Sequence, residues 1–277
     1  MKLTPFAAGC GMLVEGVQLA QLSDAEIEEL RTAFATHGVL FLRNQDLPPA
    51  EHLRFARRFG DLVKNKFFSH DDEFPDIAEV RKDADQETNL GGGWHTDHSY
   101  DEQPAMGSIL VARQLPETGG DTCFADLCKA YEDLSPGLQQ TLESLRAVHC
   151  NAHIYGEQGY YQGTDLSRYI GGTDATSHAV QPVVVRHPES GRKILYVNPG
   201  FTLNFVGWTA EESRALLGFL YKHVNQPQYT CEFNWEPGSV AIWDNRSTWH
   251  YAKNDYPGQA RLMHRITLAG SALDAAA

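Results

Sequence analysis

From about residue 77 onward, the chain is a succession of short β-type segments separated by turn residues. Two turns are explicit, His-Pro-Glu-Ser-Gly at 187–191 and Glu-Pro-Gly at 236–238. This pattern predicts a β-sandwich or a jelly-roll barrel with helical cover. The predicted strands are 78–81, 94–100, 108–113, 122–125, 148–154, 182–186, 193–197, 230–235, 239–243 and 261–268, interrupted by helices at about 128–146 and 209–225.

The N-terminal part has a different pattern, which predicts an αβα layer. Ser23 followed by Glu26 is a capping box and opens a helix. The predicted elements are this helix to about residue 37, a buried strand at 38–42 and a second helix from about 48 to 60.

The whole chain is expected to form one domain over 1–277, with the N-terminal layer at about 1–76 and the barrel core at about 77–270. Within the core, residues 155–181 are rich in Gly, Tyr, Thr and Ser and predict a long loop. Long loops inside compact domains are often lids over a site. An ordinary surface excursion is the equally open alternative.

The charge balance limits the classes of partner. The formal net charge is −13, which would repel a phosphate backbone, so no nucleic acid is expected as a partner. A small anion could bind only at a local group of basic residues. Any arginine that the fold buries in a cavity is therefore informative.

Cysteine usage and hydropathy bear on location. The five cysteines are scattered and contain no CxxC pair, which indicates small core residues in a reducing compartment rather than a disulfide frame. The N-terminus resembles no signal peptide, and no apolar run approaches the length of a membrane span. We therefore expect a cytoplasmic protein with no membrane partner.

The segment Trp94-His95-Thr96-Asp97 suggests a metal site. On a strand, residues i and i+2 point to the same face, with Cα atoms roughly 6.6 Å apart, so His95 and Asp97 could hold one ion. A third ligand from elsewhere would complete a facial triad with open positions. Two other His-x-acid pairs exist: the one at 187–189 is interpreted as part of a turn, and the one at 70–72 lies in an acidic loop and could be either.

The distal part of the chain offers a third ligand and two cations. His250 follows a turn beside aromatic residues. Strand alternation over 261–268 puts Arg261 and Arg265 on one face and Leu262, Ile266 and Leu268 on the other, with His264 as the exception. The apolar face should pack on the covering layer, so the arginines should point into the barrel. Buried arginines need anionic partners, which could be ligands or buried acids of the chain itself.

Several ordered motifs together resemble the TauD/TfdA family of Fe(II)/2-oxoglutarate dioxygenases. The resemblance covers most of the chain and is strongest at 94–97, 115–122, 130–135, 187–193, 241–246, 250–252 and 265. It implies an α+β, mainly β fold whose core is a double-stranded β-helix, or jelly roll, with covering helices.

The resemblance also implies a role for each matching residue. The implied iron ligands are His95, Asp97 and His250, and the implied 2-oxoglutarate contacts are Thr122 and Arg261. The candidate substrate residues are Arg265, His70, Tyr100, Tyr155 and Phe201. Departures from taurine-type members at Gly91–Gly93, His98 and Tyr100 argue against taurine itself. The three aromatic residues at 100, 155 and 201 could instead line a pocket for a bulkier, partly aromatic substrate, with ordinary barrel packing as the alternative for each.

The implied function is hydroxylation of a small anionic sulfonate, aryloxy or other carboxylate substrate, using Fe(II), 2-oxoglutarate and O2 and releasing succinate and CO2. Cleavage of a C–S or C–O bond would follow where the hydroxylated carbon bears sulfur or oxygen. The alternatives are an amino-acid or natural-product hydroxylase of the same family, a jelly-roll zinc hydrolase or isomerase, and a non-enzymatic binding module. Analogy to the family also predicts a homo-oligomer, a dimer or a tetramer.

Overall fold

The computed structural model describes residues 1–167 and 176–276. Its strands are β1 (Lys2–Pro5), β2 (Met12–Glu15), β3 (Val39–Leu42), β4 (Leu62–Val63), β5 (Ser69–His70), β6 (Ala78–Lys82), β7 (Gly107–Gln114), β8 (Thr122–Asp126), β9 (Arg146–Cys150), β10 (His178–Pro182), β11 (Val184–Arg186), β12 (Lys193–Leu195), β13 (Thr202–Phe205), β14 (Thr230–Phe233), β15 (Val240–Asp244), β16 (Thr248–Ala252) and β17 (Arg261–Leu268). Its helices are α1 (Asp24–His37), α2 (Pro49–Phe59), α3 (Leu127–Glu132), α4 (Pro136–Glu143), α5 (Ala152–Tyr155) and α6 (Ala210–Val224).

Two sheets face each other across the core. The large sheet has the order β1-β2-β3-β15-β7-β17-β6-β5, with β4 also paired to β17, and the small sheet has the order β14-β8-β16. Phe41 and Met263 of the large sheet pack with Phe124 and Phe233 of the small sheet in one apolar cluster. Facing, mainly antiparallel sheets of this kind are the two layers of a jelly roll.

Helices cover the outer face of the large sheet. Phe34 of α1 and Phe55 and Phe59 of α2 lie in one cluster with Ile109 and Ile266 of the sheet. The predicted fold class, α+β and mainly β with a jelly-roll core and covering helices, is confirmed. No helix in the described parts of the chain combines the length and the apolar character that crossing a membrane requires.

Local signals placed the helices well. The capping boxes at Ser23 and Thr209 open α1 and α6 as expected, each with the glutamate three residues on bonded back to the cap. The helix predicted at 128–146 is two helices, because Ser135-Pro136 starts α4 after α3 has ended at Glu132.

Two strand predictions were wrong. Residues 94–100 form no strand: His95 makes one isolated bridge, and a turn follows in which His98 takes a positive φ of 58°. The strand predicted at 148–154 ends at Cys150 and is followed by α5. The loop predicted at 155–181 ends earlier, because β10 begins at His178, and its residues 168–175 lie outside the described residues.

Candidate active site

Backbone pairing brings the three proposed metal ligands together. The His95 N–H donates to the His250 carbonyl at 3.1 Å, and the His250 N–H donates to the His95 carbonyl at 2.9 Å. The two imidazole rings consequently lie 4.1 Å apart between centroids. Asp97, two residues after His95, completes a group whose ligand atoms all lie within 4.8 Å of one another. The side chains converge as expected, although an isolated bridge and a turn position them instead of a strand.

The distances within this group suit a single ion. His95 Nε2 lies 3.5 Å from Asp97 Oδ1, and His250 Nε2 lies 3.5 Å from Asp97 Oδ2. Neighbouring ligands of an octahedral ion at about 2.1 Å lie roughly 3 Å apart, so small side-chain movements would close the site. His95 Nδ1 lies 2.7 Å from the Gly93 carbonyl and donates to it, which leaves the Nε2 lone pair facing the site.

Electrostatics favours the protonation states that metal binding requires. Burial would raise the pKa of the Asp97 carboxyl, but Arg265 and His250 outweigh burial and hold this pKa well below its usual value. Burial, reinforced by His95, holds the pKa of the His250 imidazole well below its usual value. An ionised carboxylate beside a neutral imidazole is the form that coordinates a cation.

His95, Asp97 and His250 line one cavity. Two other clusters of potential metal ligands occur in the described chain, and neither lines that cavity. In one, His187 Nε2 lies 2.9 Å from Asp244 Oδ2, and Arg246 contacts both Asp244 and Glu189. This network is satisfied internally, which agrees with the interpretation of 187–189 as structural. The other consists of Asp71, Glu79 and His264.

Arg261 is the arginine of the cavity that forms no ion pair with any of the described residues. It is 5% exposed and lines the same cavity as His95, Asp97, His250 and Thr122. Its Nε and Nη2 have no hydrogen-bond partner in the described structure. Thr122, 3% exposed, accepts a hydrogen bond from Trp235 Nε1 at 3.0 Å. Burial lowers the pKa of Arg261, but an arginine stays charged in proteins, so this position calls for an anion.

Arg265 lies beside the ligand group. Its Nη2 contacts Asp97 Oδ2 and donates to Ser108 Oγ at 2.7 Å. Its Nε is buried and has no hydrogen-bond partner among residues 1–167 and 176–276. Pairing with a buried acid, which the sequence left open, therefore holds for Arg265, while one of its donors stays available to a ligand.

The other candidate substrate residues occupy different places. Tyr100 and Tyr155 line the cavity. Phe201 lies against Tyr100 with ring centroids 4.7 Å apart and stands behind this lining. His70 lies on β5 and does not line the cavity. Their roles in binding a substrate remain predictions.

Further lining residues that the sequence did not predict include Asn65, Phe67 and Phe68, and His98, which the sequence marked only as a departure from taurine-type members, also lines the cavity. Asn65 Oδ1 accepts from the Phe67 N–H at 2.9 Å, which turns its Nδ2 toward His98 Nε2 at 3.5 Å. His98 Nδ1 in turn lies 2.8 Å from Asp101 Oδ2. This relay holds an amide and an imidazole at the cavity wall. Asn65 lies in no motif of the sequence, so no sequence signal indicated that it reaches the cavity.

Comparison with known proteins agrees with this geometry. A family model described as Taurine catabolism dioxygenase TauD, TfdA family matches residues 2–267. The chain is 36% identical over 277 residues to the alkylsulfatase of Acinetobacter baylyi, covering 98% of this chain and 85% of that protein.

Two solved structures share the fold. A taurine dioxygenase from Burkholderia xenovorans superposes with a TM-score of 0.82 at 33% identity, covering 98% of this chain and 92% of that one. AAD-2 in complex with Mn(II) and N-oxalylglycine gives a TM-score of 0.80 at 27% identity, covering 97% of this chain and 98% of that one. N-oxalylglycine differs from 2-oxoglutarate only in having an NH in place of a CH2.

Proposed function

Because the chain belongs to the TauD/TfdA family of alpha-ketoglutarate-dependent dioxygenases, we propose that it oxidises a small organic anion carrying a sulfate or sulfonate group. It is an oxidoreductase that uses Fe(II), 2-oxoglutarate and O2. The family match favours this function over a zinc hydrolase or isomerase and over a binding module.

The observation that carries the cosubstrate assignment is the unpaired guanidinium of Arg261. Its Nε and Nη2 are buried without partners among the described residues, and the side chain lines the same cavity as the His-Asp-His group, which suits the distal carboxylate of 2-oxoglutarate. Thr122 is proposed to add one hydrogen bond through its hydroxyl. His95, Asp97 and His250 would hold the ion.

When bound, Fe(II) and 2-oxoglutarate supply the oxidising power that inserts one oxygen atom of O2 into a substrate C–H bond, with release of succinate and CO2. The residues of the chain orient the substrate and exclude water. If the hydroxylated carbon bears a sulfate ester or a sulfonate, the product collapses to a carbonyl compound and releases sulfate or sulfite, respectively.

Arg265 is proposed to hold the anionic group of the substrate. Arg265 lines the cavity together with Phe68 and Trp243, whose ring centroids lie 5.7 and 5.3 Å from its guanidinium carbon, and its buried Nε has no hydrogen-bond partner among the described residues. Tyr100 and Tyr155 are proposed to contact the apolar part of the substrate, with Phe201 behind them. The name of the Acinetobacter baylyi relative makes an alkyl sulfate a suitable first ligand.

The test is succinate formation with Fe(II), ascorbate and 2-oxoglutarate across matched pairs of compounds. Each pair contains an alkyl sulfate, a sulfonate or an aryloxyalkanoate and the neutral alcohol with the same carbon skeleton. We expect anionic members to drive succinate formation, with one sulfate or sulfite released per turnover where such a group is present. Equal turnover of neutral and anionic members would contradict the proposal, as would turnover of none.

A variant links this activity to Arg265. Arg265→Met should raise KM for every anionic substrate at least tenfold, because a charge-assisted hydrogen bond is worth roughly 1.5–3 kcal/mol. Mn(II) affinity, measured by calorimetry, controls for damage to Asp97. Unchanged KM values with normal Mn(II) binding would remove Arg265 from the substrate site.

Three further assignments are also proposals. The whole chain is proposed to act as one catalytic domain, supported by the N-terminal strands β1–β3, which join the same sheet as β15 and β17. A homo-oligomer, dimer or tetramer, rests on analogy and is tested by light scattering. A cytoplasmic location rests on the five cysteines, all free thiols in the structure.

A further inference from the structure

The structure brings two distant cysteines into contact. Cys10 lies in the loop between β1 and β2, Cys231 lies on β14, and their Sγ atoms are 2.8 Å apart although 221 residues separate them. Both are buried, at 6% and 7% exposure. The scattered spacing of the five cysteines predicts isolated core residues and gives no sign that these two meet.

The surrounding backbone fixes this contact. A Cβ atom at Gly9 would lie 1.9 Å from the Thr230 carbonyl oxygen, so the loop sits directly against β14 and only glycine fits there. Phe6 and Phe233 belong to the same apolar cluster as the two cysteines, and their rings pack edge to face at 5.6 Å. The close backbone approach and this packing restrict the positions of the two sulfur atoms.

We propose that Cys10 and Cys231 are a reversible disulfide pair that joins the two sheets of the jelly roll. The β1–β2 hairpin forms one edge of the large sheet, and β14 forms one edge of the small sheet. A bond between the two sulfur atoms would therefore connect the layers that enclose the cavity.

The chemistry needs a two-electron oxidant. With hydrogen peroxide, one thiol is oxidised to a sulfenic acid with release of water, and the second thiol displaces a second water as the S–S bond forms. The two sulfur atoms together lose two electrons and two protons. A dithiol reductant reverses the reaction by exchange.

Burial slows this reaction. Burial raises the pKa of the Cys10 thiol well above its usual value, and the hydrogen bond with Cys231 raises it further. The reactive thiolate is therefore scarce at neutral pH. The pair should stay reduced in a reducing compartment and close when a small oxidant enters the core.

The bond would support the side of the site that holds the cosubstrate. Cys231 pairs with Phe124 across β14 and β8, and Phe233 pairs with Thr122. Closing a loop of this length restricts the unfolded chain strongly. We expect the oxidised protein to unfold roughly 5–10 °C higher than the reduced protein.

Peptide mapping of the wild-type protein tests the pairing. Trypsin should release Cys10 in residues 3–31 and Cys231 in residues 223–246, each as the sole cysteine of its peptide. The peroxide concentration is raised until the half-exposed thiol of Cys123 is oxidised, which shows that the oxidant has reacted with the protein. We expect the two peptides to be linked, at two hydrogen masses below their sum. Finding them unlinked at that point, or linked to other cysteines, would overturn the proposal.

Matched variants test the consequence. Cys10→Ser and Cys231→Ser should lose the difference in unfolding temperature between oxidised and reduced protein. Cys128→Ser is the control, because Cys128 is also buried, at 3% exposure, and has no sulfur contact in the described structure. If the Cys128 variant lost the difference while the Cys10 and Cys231 variants kept it, the cross-link would lie elsewhere.

Discussion

Arg261→Met should weaken cosubstrate binding and at the same time stabilise the ligand-free protein. Arg261 is 5% exposed, and its Nε and Nη2 have no partner in the described structure. A buried donor without a partner costs about 1–3 kcal/mol. Methionine fills similar space without a charge, so the free energy of unfolding should rise by about that amount, or roughly 2–6 °C in unfolding temperature.

In the presence of ligand, the variant should gain less stability than the wild-type protein. Two charge-assisted hydrogen bonds to one carboxylate should contribute about 2–4 kcal/mol after desolvation, so the variant should bind 2-oxoglutarate roughly 30- to 700-fold more weakly. A ligand at about 100 times its Kd stabilises a protein by about 2.7 kcal/mol. The same concentration should stabilise the variant by less than about 1 kcal/mol.

Thermal unfolding and calorimetry with Mn(II) and N-oxalylglycine measure both effects without turnover. 2-Oxobutyrate, which lacks the distal carboxylate, is the ligand control and should bind both proteins equally. Arg246→Met is the protein control: Arg246 contacts Asp244 and Glu189, so removing it strands buried carboxylate charge and should destabilise by about 3–5 kcal/mol. If Arg261→Met bound N-oxalylglycine normally, or lost stability as Arg246→Met should, the anchor assignment would be refuted.

Three further predictions concern stability. Thr209→Ala should cost about 1 kcal/mol in urea unfolding, because it removes the capping box of α6; no change would mean that the cap is redundant. Asp244→Asn should cost about 3 kcal/mol of unfolding free energy, because the Arg246 guanidinium then lacks its carboxylate. Arg246 and His187 overcome burial and lower the pKa of Asp244 to about 2. The stability that this carboxylate contributes is therefore present above pH 4 and is lost as pH falls through about 2. Burial lowers the pKa of His149 to about 3, so the unfolded chain takes up a proton below pH 6.5 that the folded protein does not, and stability should fall by about 2 kcal/mol between pH 6.5 and 5. His149→Phe should flatten that limb of the stability profile, and an unchanged slope would assign it to other groups.

The helix starts could be predicted from the sequence because the capping residues and the proline that mark them act within about four residues of the helix end. The side chains of Ser23 and Thr209 and the proline at 136 act on their own backbone, so burial elsewhere does not alter them. The same holds for β17, whose alternation put Arg261 and Arg265 on the cavity side.

The error at 94–100 shows where local rules stop. The periodicity suggested a strand, but the conformation depends on His250, a partner 155 residues away in the chain that bonds the His95 backbone in both directions. The turn that follows then aims Asp97 at both imidazoles. The grouping of His95, Asp97 and His250 was predicted although its backbone geometry was not, because the resemblance rests on residue order along the chain rather than on backbone conformation.

Asn65 could not be found, and the contacts of His98 could not be predicted, for a related reason. Asn65 reaches the cavity because the chain before β5 folds over the ligand group, and its amide is turned by a backbone N–H two residues away. Asparagine and histidine occur in many structural roles, so neither residue type predicts a place in the cavity wall without knowledge of these contacts. Substrate selectivity depends on such wall residues, and it is therefore the least predictable part of the site.

The two partners of Arg265 that the sequence left open, a buried acid or a ligand anion, are not exclusive. Asp97 Oδ2 contacts Arg265 Nη2 and also lies 3.5 Å from His250 Nε2, so the oxygen that neutralises the arginine is one that would face a bound cation. A carboxylate that ligates a cation has less charge to offer a guanidinium. Arg265 would then be short of a negative charge, which the anionic group of the proposed substrate would supply. Ligation of a metal ion by Asp97 is therefore expected to make Arg265 more available to the substrate.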